Sequence, residues 1–377
     1  MEEKGNLTKY SKKKASHRRA FSGALLLLVI LSAVLIVINW GNITAPLKDA
    51  ALDLDEGGFP IQLAGSPDYE LKTMGDNLCL LTDMHFTAYT LDGARISETQ
   101  HGLQNPVIIT NTKRALLYDA AGKEIGLYSR TGNIYKKTLD DTIVFCSLSG
   151  DERCAVVTTS SRYVNTLYVF NDNGEQIFRY NSPLEKIMQA EFSDKGTELY
   201  ISTVSAANGE LSLKVTRFDL KSDESVVWEQ YIGSSLTYSL EYTSGGVYVV
   251  TENGAMLLDC GTGEVLKSTS YSKSVSELLY TDSVRLTVFS DNTSNGSILT
   301  LYNDELEAAA AVSAADIVDI AADGDRIIVL TQTEIIEYDS TLTAVKTSPI
   351  SGVYSQIAAR GGNIFILGYN SIEKHDA

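Results

Sequence analysis

Four histidines, four cysteines and two tryptophans in 377 residues leave little material for metal, thiol or stacking chemistry. The histidines are scattered: His17 in a basic tail, His85 at a hairpin tip, His101 in a connector and His375 two residues from the end. No two share metal-ligand spacing on one element, so each reads as an exposed or turn histidine. No G-x-S-x-G elbow, Walker loop or H-E-x-x-H pair occurs. The reading is therefore of a non-enzyme, with no catalytic, cofactor-binding or metal-binding residue assigned. Positive charge is also short. Lys and Arg number 31 against 48 Asp and Glu, a formal net charge of −17, which excludes a broad basic face for nucleic acid. Acidic pairs such as Asp140-Asp141 and Asp323/Asp325 sit where turns are expected, and turn geometry favours Asp for reasons unrelated to acid–base work.

What is present is a chain with 44% hydrophobic and 21% charged residues, ordinary for a protein that buries a core. The charge is uneven. Residues 1–20 hold seven of the 31 basic residues but two of the 48 acidic ones, so the remainder carries a net charge of −22 (24 against 46). Next comes the longest apolar run, Phe21 to Ile38, 18 residues without a charge. As a helix it covers roughly 27 Å, close to the hydrocarbon thickness of a bilayer. Lys12, Lys13, Lys14, Arg18 and Arg19 on one flank and Trp40 on the other fix its orientation, with the N-terminus cytoplasmic and Trp40 at the outer interface. A cleavable signal peptide or a buried core helix are the alternatives, but the run is long for the first, and Pro46 makes a poor cleavage context after Ile43-Thr44-Ala45.

The expected order is a basic cytoplasmic tail (1–20), a transmembrane helix (21–40), a stalk (41–56) and an ectodomain (57–377) at the cell surface. In the stalk, Asp53, Asp55 and Glu56 resemble half a calcium loop without its remaining ligands and read as solvated charge. The glycosylation triplets at Asn42, Asn292 and Asn295 matter only in a eukaryotic secretory route.

The ectodomain repeats. A β-run ending in a large residue, a polar turn and a further β-run recur eight times, with Tyr89, Tyr128, Phe170, Phe218, Leu258, Tyr302, Tyr338 and His375 at equivalent positions. The intervals run from 36 to 48 residues and average about 41, the size of a four-stranded propeller blade. An all-β, eight-bladed β-propeller is predicted, with seven blades as the alternative. Hairpins are expected at 115–129, turning at Ala121-Gly122; at 247–258, turning at Asn253-Gly254 with both residues at positive φ; and at 325–339. The Ala-rich stretch 308–316 is read as strand plus loop, against a helix. The last unit stops at Ala377, before its outer strand. An open ring would expose a sheet edge, so residues 59–64 are expected to supply that strand and close the ring.

The segment Leu257-Leu258-Asp259-Cys260-Gly261-Thr262-Gly263-Glu264-Val265-Leu266 resembles the repeats of the PQQ-type, quinoprotein-like propeller superfamily, with a weaker echo at Phe170–Glu175. The Trp that commonly closes such repeats is missing from nearly all units, and only Trp228 occupies a comparable place. Basic tail, single helix and propeller together resemble an uncharacterised family of membrane-anchored proteins of Gram-positive bacteria. That resemblance implies fold and location and carries over no catalytic residue.

Two further features stay open on the sequence. Cys146 and Cys154 are symmetric about Gly150, so a hairpin folded there would set them opposite each other for a disulfide; a pair of small buried strand residues is the other reading. Among 20 tyrosines, Tyr238, Tyr242, Tyr248, Tyr271 and Tyr280 lie at strand ends, where a tyrosine rim could bind glycans or proteins or could simply fill half-buried β-surface. The expected role is a tethered, non-enzymatic scaffold, bound to the bilayer through Phe21 to Ile38 and to an envelope protein through the propeller. A ligand sensor and a PQQ-type dehydrogenase are the alternatives. No cofactor and no nucleic acid is expected.

Overall fold

The computed structural model describes Leu54 and residues 56–376, apart from 66–67, 208, 223–225, 282 and 292–295. The basic tail, the apolar run Phe21 to Ile38, Trp40 and Asp53 and Asp55 lie outside the described residues. Among the described residues no helix is long and apolar enough to cross a membrane.

Residues 54–376 form eight four-stranded antiparallel sheets. Blades 1 to 7 are each continuous in sequence, at 70–100, 106–138, 143–182, 186–233, 237–270, 275–314 and 317–349. Blade 8 takes three strands from 354–376 and its outer strand, Ile61–Gln62, from the start of the described chain, where Ile61 faces Ile372 and Gln62 faces Ser371. The seven-blade alternative is excluded, and the expected closure by the 59–64 segment is what the chain does. That outer strand is only two residues long. Its side chains anchor it: Phe59, Ile61 and Leu63 pack on the core shared by blades 8 and 1, with the Phe59 and Phe365 rings 5.5 Å apart.

Burial follows strand position within a blade. The second strand of blade 3, Cys154–Thr158, is buried at every residue, because neighbouring blades cover both its faces. The fourth strand of blade 1, Arg95–Gln100, alternates between exposed and half-buried residues, as expected at an outer edge. Eight apolar clusters fill the eight junctions between blades. The one between blades 5 and 6 is the smallest, with Tyr248, Val250, Ala255, Leu257 and Leu306 as its buried members.

The repeat residues picked out in the sequence have a shared geometric role. Tyr89, Tyr128, Phe170, Phe218, Leu258, Tyr302 and Tyr338 each stand on the third strand where its register with the fourth shifts by a bulge. A bulge adds local twist, so one large residue per repeat marks where each blade bends into its outer strand. The Ala-rich stretch is a strand, Ala308–Ala314.

Two local expectations need correction. The hairpin in blade 5 forms, but Thr251 pairs with Gly254, so its central residues are Glu252 and Asn253 rather than Asn253-Gly254, and neither is at positive φ. The hairpin in blade 3 folds about Asp151 rather than Gly150: Cys146 faces Val156 and Cys154 faces Leu148. The reason is a five-residue turn, 149–153, with Glu152 at φ 75°. The two cysteines are therefore diagonal neighbours and stand as free, buried thiols, not as a disulfide. Tyr135 donates its hydroxyl proton to Cys154 Sγ at 3.3 Å, and burial pushes the Cys154 thiol up to about 12.

Candidate functional site

The first strand of each blade lines the centre of the ring, and six of these strands carry a bulge near their start. The residues that follow the bulge are Phe145, Gln189, Ser239, Glu277, Asp319 and Gln356. Three of them fasten one blade to the next. Gln189 donates to the Tyr238 carbonyl at 3.0 Å, Asp319 accepts the Ile357 N–H at 2.8 Å, and Gln356 spans the closure by donating to Tyr69 O at 2.6 Å and accepting from Leu71 N–H at 2.8 Å.

Glu277 holds the same place in blade 6. Burial, and then the negative charge of Asp319, raises its carboxyl to about 7. A carboxyl raised in the folded state binds protons that the unfolded chain has lost, so folding weakens as the pH rises from the ordinary carboxylate range to about 7. Glu277→Gln is therefore expected to raise the melting temperature at pH 8 by a few degrees and to leave it nearly unchanged at pH 4.5. Calorimetry at the two pH values checks this, and an equal effect at both would show that the charge is not the cause.

Two residues further along these inner strands the sequence changes character. The equivalent positions are Ala321 and Ala358 in blades 7 and 8 and Leu279 in blade 6, but Glu191 and Glu241 in blades 4 and 5. These two carboxylates line a cavity of about 320 Å³ together with Asp194, Tyr242, Thr243, Tyr248, Tyr280, Thr281 and Arg285. Burial raises the Glu191 carboxyl well above the carboxylate range and the neighbouring charge of Glu241 adds to it, while the Tyr242 N–H opposes the shift. Burial likewise raises Glu241, against a hydrogen bond of 2.5 Å from Ser239 Oγ. The Tyr280 phenol is pushed up by burial, and Glu241 contributes in the same direction.

The walls are aromatic and ordered. Tyr242 stacks on Tyr200 with centroids 5.8 Å apart, and the Tyr200 hydroxyl donates to Glu198 at 2.7 Å. The Arg285 guanidinium lies 4.6 Å from the Tyr248 ring and pairs with Asp304.

The cavity opens among the turns that join first to second strands. At four of the eight junctions these turns are tied across to the next blade. Asn111 donates to Ser149 O at 2.7 Å, Arg153 donates to Gly196 O, Gly362 N–H donates to Asp323 at 2.7 Å, and Arg360 meets Asp76 at 3.1 Å. Among the described residues no such bond joins the turns at 193–197, 243–246 and 281–284. The space thus lies at two of the junctions that show no turn clasp among the described residues, one of them the junction with the smallest core.

The sequence singled out five tyrosines, and the fold divides them. Tyr242, Tyr248 and Tyr280 line the cavity; Tyr238 is exposed at the opposite end of its strand; Tyr271 packs on Phe289 and Tyr302. The carboxylates were missed, although aligning the bulged inner strands would have shown Glu where the other blades carry Ala, Leu or Ser (Ser147 in blade 3). Asp323 serves as a clasp, as above. His101 is not exposed: it is buried, its Nδ1 accepts the Leu103 N–H and its Nε2 faces Thr82 O, and burial holds its pKa below the ordinary value. Trp228 is enclosed by the next blade, donating to Cys260 O at 2.9 Å beside Gly263, where a Cβ would stand 2.6 Å from the indole. Among the described residues no group of three His, Cys, Asp or Glu side chains is placed to hold a metal ion.

The fold recurs in solved structures at low sequence identity. BamB from Moraxella catarrhalis superposes with a TM-score of 0.56 at 12% identity, covering 85% of this chain and 99% of that one. The C-terminal WD40 domain of Sif2 gives 0.62 at 11%, covering 86% and 100%. Sqt1 from Saccharomyces cerevisiae gives 0.59 at 11%, covering 85% and 99%. At such identities the likeness establishes the propeller and nothing more. No curated protein matches the chain by sequence. A family model does match, over residues 60–374, which spans the ring from its closing strand to its last blade, and the chain belongs to that family, the family of unknown function DUF5711.

Proposed function

We propose that the protein is a membrane-tethered, extracytoplasmic propeller that acts as a non-enzymatic protein-interaction scaffold at the cell envelope. The tether is Phe21 to Ile38, with Lys12, Lys13, Lys14, Arg18 and Arg19 on the cytoplasmic side. The observation that carries the scaffold reading is where exposed apolar side chains fall among the turns and connections; others, such as Val226, Val265 and Val345, stand on the outer strands. Leu184 (81% exposed), Val353 (91%), Tyr369 (65%), Met84 and Val164 all lie in second-to-third strand turns or in the connections between blades, and these segments share one face. Among the described residues the turns of the opposite, cavity-bearing face expose no large apolar side chain. Apolar groups gathered on one face of a rigid ring suit a protein partner. The net charge of −22 beyond the tail disfavours direct contact with anionic polymers or lipid headgroups.

The test is crosslinking in intact cells followed by affinity capture of the full chain. A reproducible envelope protein should be recovered with the native chain and lost with L184D/V353D. Recovery of nothing above background, or of the same protein with both chains, would overturn the assignment to this face. A ligand sensor is the second reading, and the cavity between blades 4, 5 and 6 favours it. A PQQ-type dehydrogenase needs tryptophans free to stack on the cofactor, and Trp228 is held between blades.

A further inference from the structure

The cavity at the junctions of blades 4, 5 and 6 has a chemistry that the scaffold reading does not use. Its carboxylates come from separate elements: Glu191 from the first strand of blade 4, Asp194 from the turn after it, and Glu241 from the first strand of blade 5. The cation in the lining, Arg285, is already paired with Asp304 and set over Tyr248. What faces the open volume is thus a surplus of carboxyl groups with tyrosine walls.

A dehydrated metal ion is a poor match. Metal binding needs three or more donors converging at about 2–2.5 Å, and no such group exists among the described residues. The volume of about 320 Å³ is on the order of ten times the share of one water molecule in the liquid. An anion is disfavoured by the carboxyl groups; a neutral ligand would leave Glu191 and Glu241 protonated, whereas a cation supplies the counter-charge that lets these half-buried acids ionise.

We infer that this cavity binds an organic cation, a primary ammonium or guanidinium on an alkyl stem, with Glu191 and Glu241 as counter-charges and the Tyr242 and Tyr280 rings against the stem. The molecule already holds a small example of this recognition in Arg285, whose guanidinium combines a carboxylate partner with an aromatic face. Cations set over tyrosine rings gain most where water is excluded. The cation could arrive as a lysine or arginine side chain of a protein or as a free polyamine, and the chemistry at the carboxylates is the same.

Isothermal titration of the full chain in detergent distinguishes these. The probes are spermidine, N-acetyl-lysine methylamide and its neutral isostere N-acetyl-norleucine methylamide. At least one amine should bind and raise the melting temperature, with the norleucine compound giving no heat. Glu241→Gln and Glu191→Gln should each weaken amine binding at least tenfold, and Asp325→Asn, on the blade 7 turn outside the cavity lining, should leave it unchanged. Because both Gln variants replace a desolvated acid by a neutral group of the same shape, their unliganded melting temperatures should not fall, which separates lost binding from lost folding. Binding of spermidine alone assigns the free polyamine, and binding of the lysine derivative assigns a side chain. Equal binding of the norleucine compound, calcium binding in place of amines, undiminished affinity in both Gln variants, or no amine binding at 10 mM concentration each overturns the inference. Such a failure leaves the docking face untouched, because capture by crosslinking reads the other side of the ring.

Discussion

Replacing Trp228 by alanine is expected to lower folding stability by about 3–5 kcal/mol, the range for removing a large buried aromatic side chain. Trp228 stands on the outer strand of blade 4 but serves the junction with blade 5. Its indole lies 5.9 Å from the Tyr200 ring, covers Gly263 and donates to Cys260 O, the same carbonyl that accepts from Arg217 at 2.9 Å. Arg217 in turn meets Glu198 at 2.7 Å, and Glu198 accepts from Tyr200. Removing the indole therefore opens a void beside the carbonyl that Arg217 also uses. Trp228→Phe retains most of the apolar contact and loses the N–H, so it should cost about 1–2 kcal/mol. Urea unfolding of the full chain followed by circular dichroism measures both. An alanine variant within 1 kcal/mol of the native chain would mean that blades 4 and 5 are held together elsewhere.

The second large effect concerns closure. Phe59→Ala combined with Leu63→Ala should remove about 2–4 kcal/mol by stripping the side chains that seat the two-residue outer strand of blade 8. It should also promote concentration-dependent association, because the Ser371–Asp376 strand would then present an unpaired edge. Closure has an inner counterpart in Gln356, which satisfies one N–H and one carbonyl of blade 1. Gln356→Leu leaves both groups unmatched and should cost about 2–4 kcal/mol, whereas Gln189→Leu, which removes one bond to Tyr238 O, should cost about 1 kcal/mol. Light scattering beside the unfolding curves gives the readout. If the two closure variants behave like an exposed control such as Val345→Ala, the ring does not depend on joining its ends.

Much of this architecture was legible because it is local and repeated. The large residue before each outer strand, from Tyr89 to Tyr338, marks a bulge that every blade needs, so the same demand is written once per repeat. The missing outer strand of the last repeat was legible for a related reason: a repeat that stops one strand short requires a donor, and Phe59, Ile61 and Leu63 have the apolar spacing to be it. Position within a turn was less legible. The five-residue turn at 149–153 moved Cys154 from opposite Cys146 to opposite Leu148, and the blade 5 hairpin turned one residue early. Moving the turn's centre by one residue shifts every cross-strand pair by two and keeps the same faces, so side-chain pattern alone does not fix it.

The tail and apolar run carry their own reading in composition and length, as does the roughly 41-residue period. These depend on near neighbours along the chain. The cavity depends on residues about 50 and 40 positions apart: Glu191, Glu241 and Tyr280 meet only because three consecutive blades bring the ends of their inner strands to one place. Their raised carboxyl groups and the gathering of exposed apolar turn residues on the other face are properties of the closed ring, since burial and field are set by neighbours in space and not by sequence.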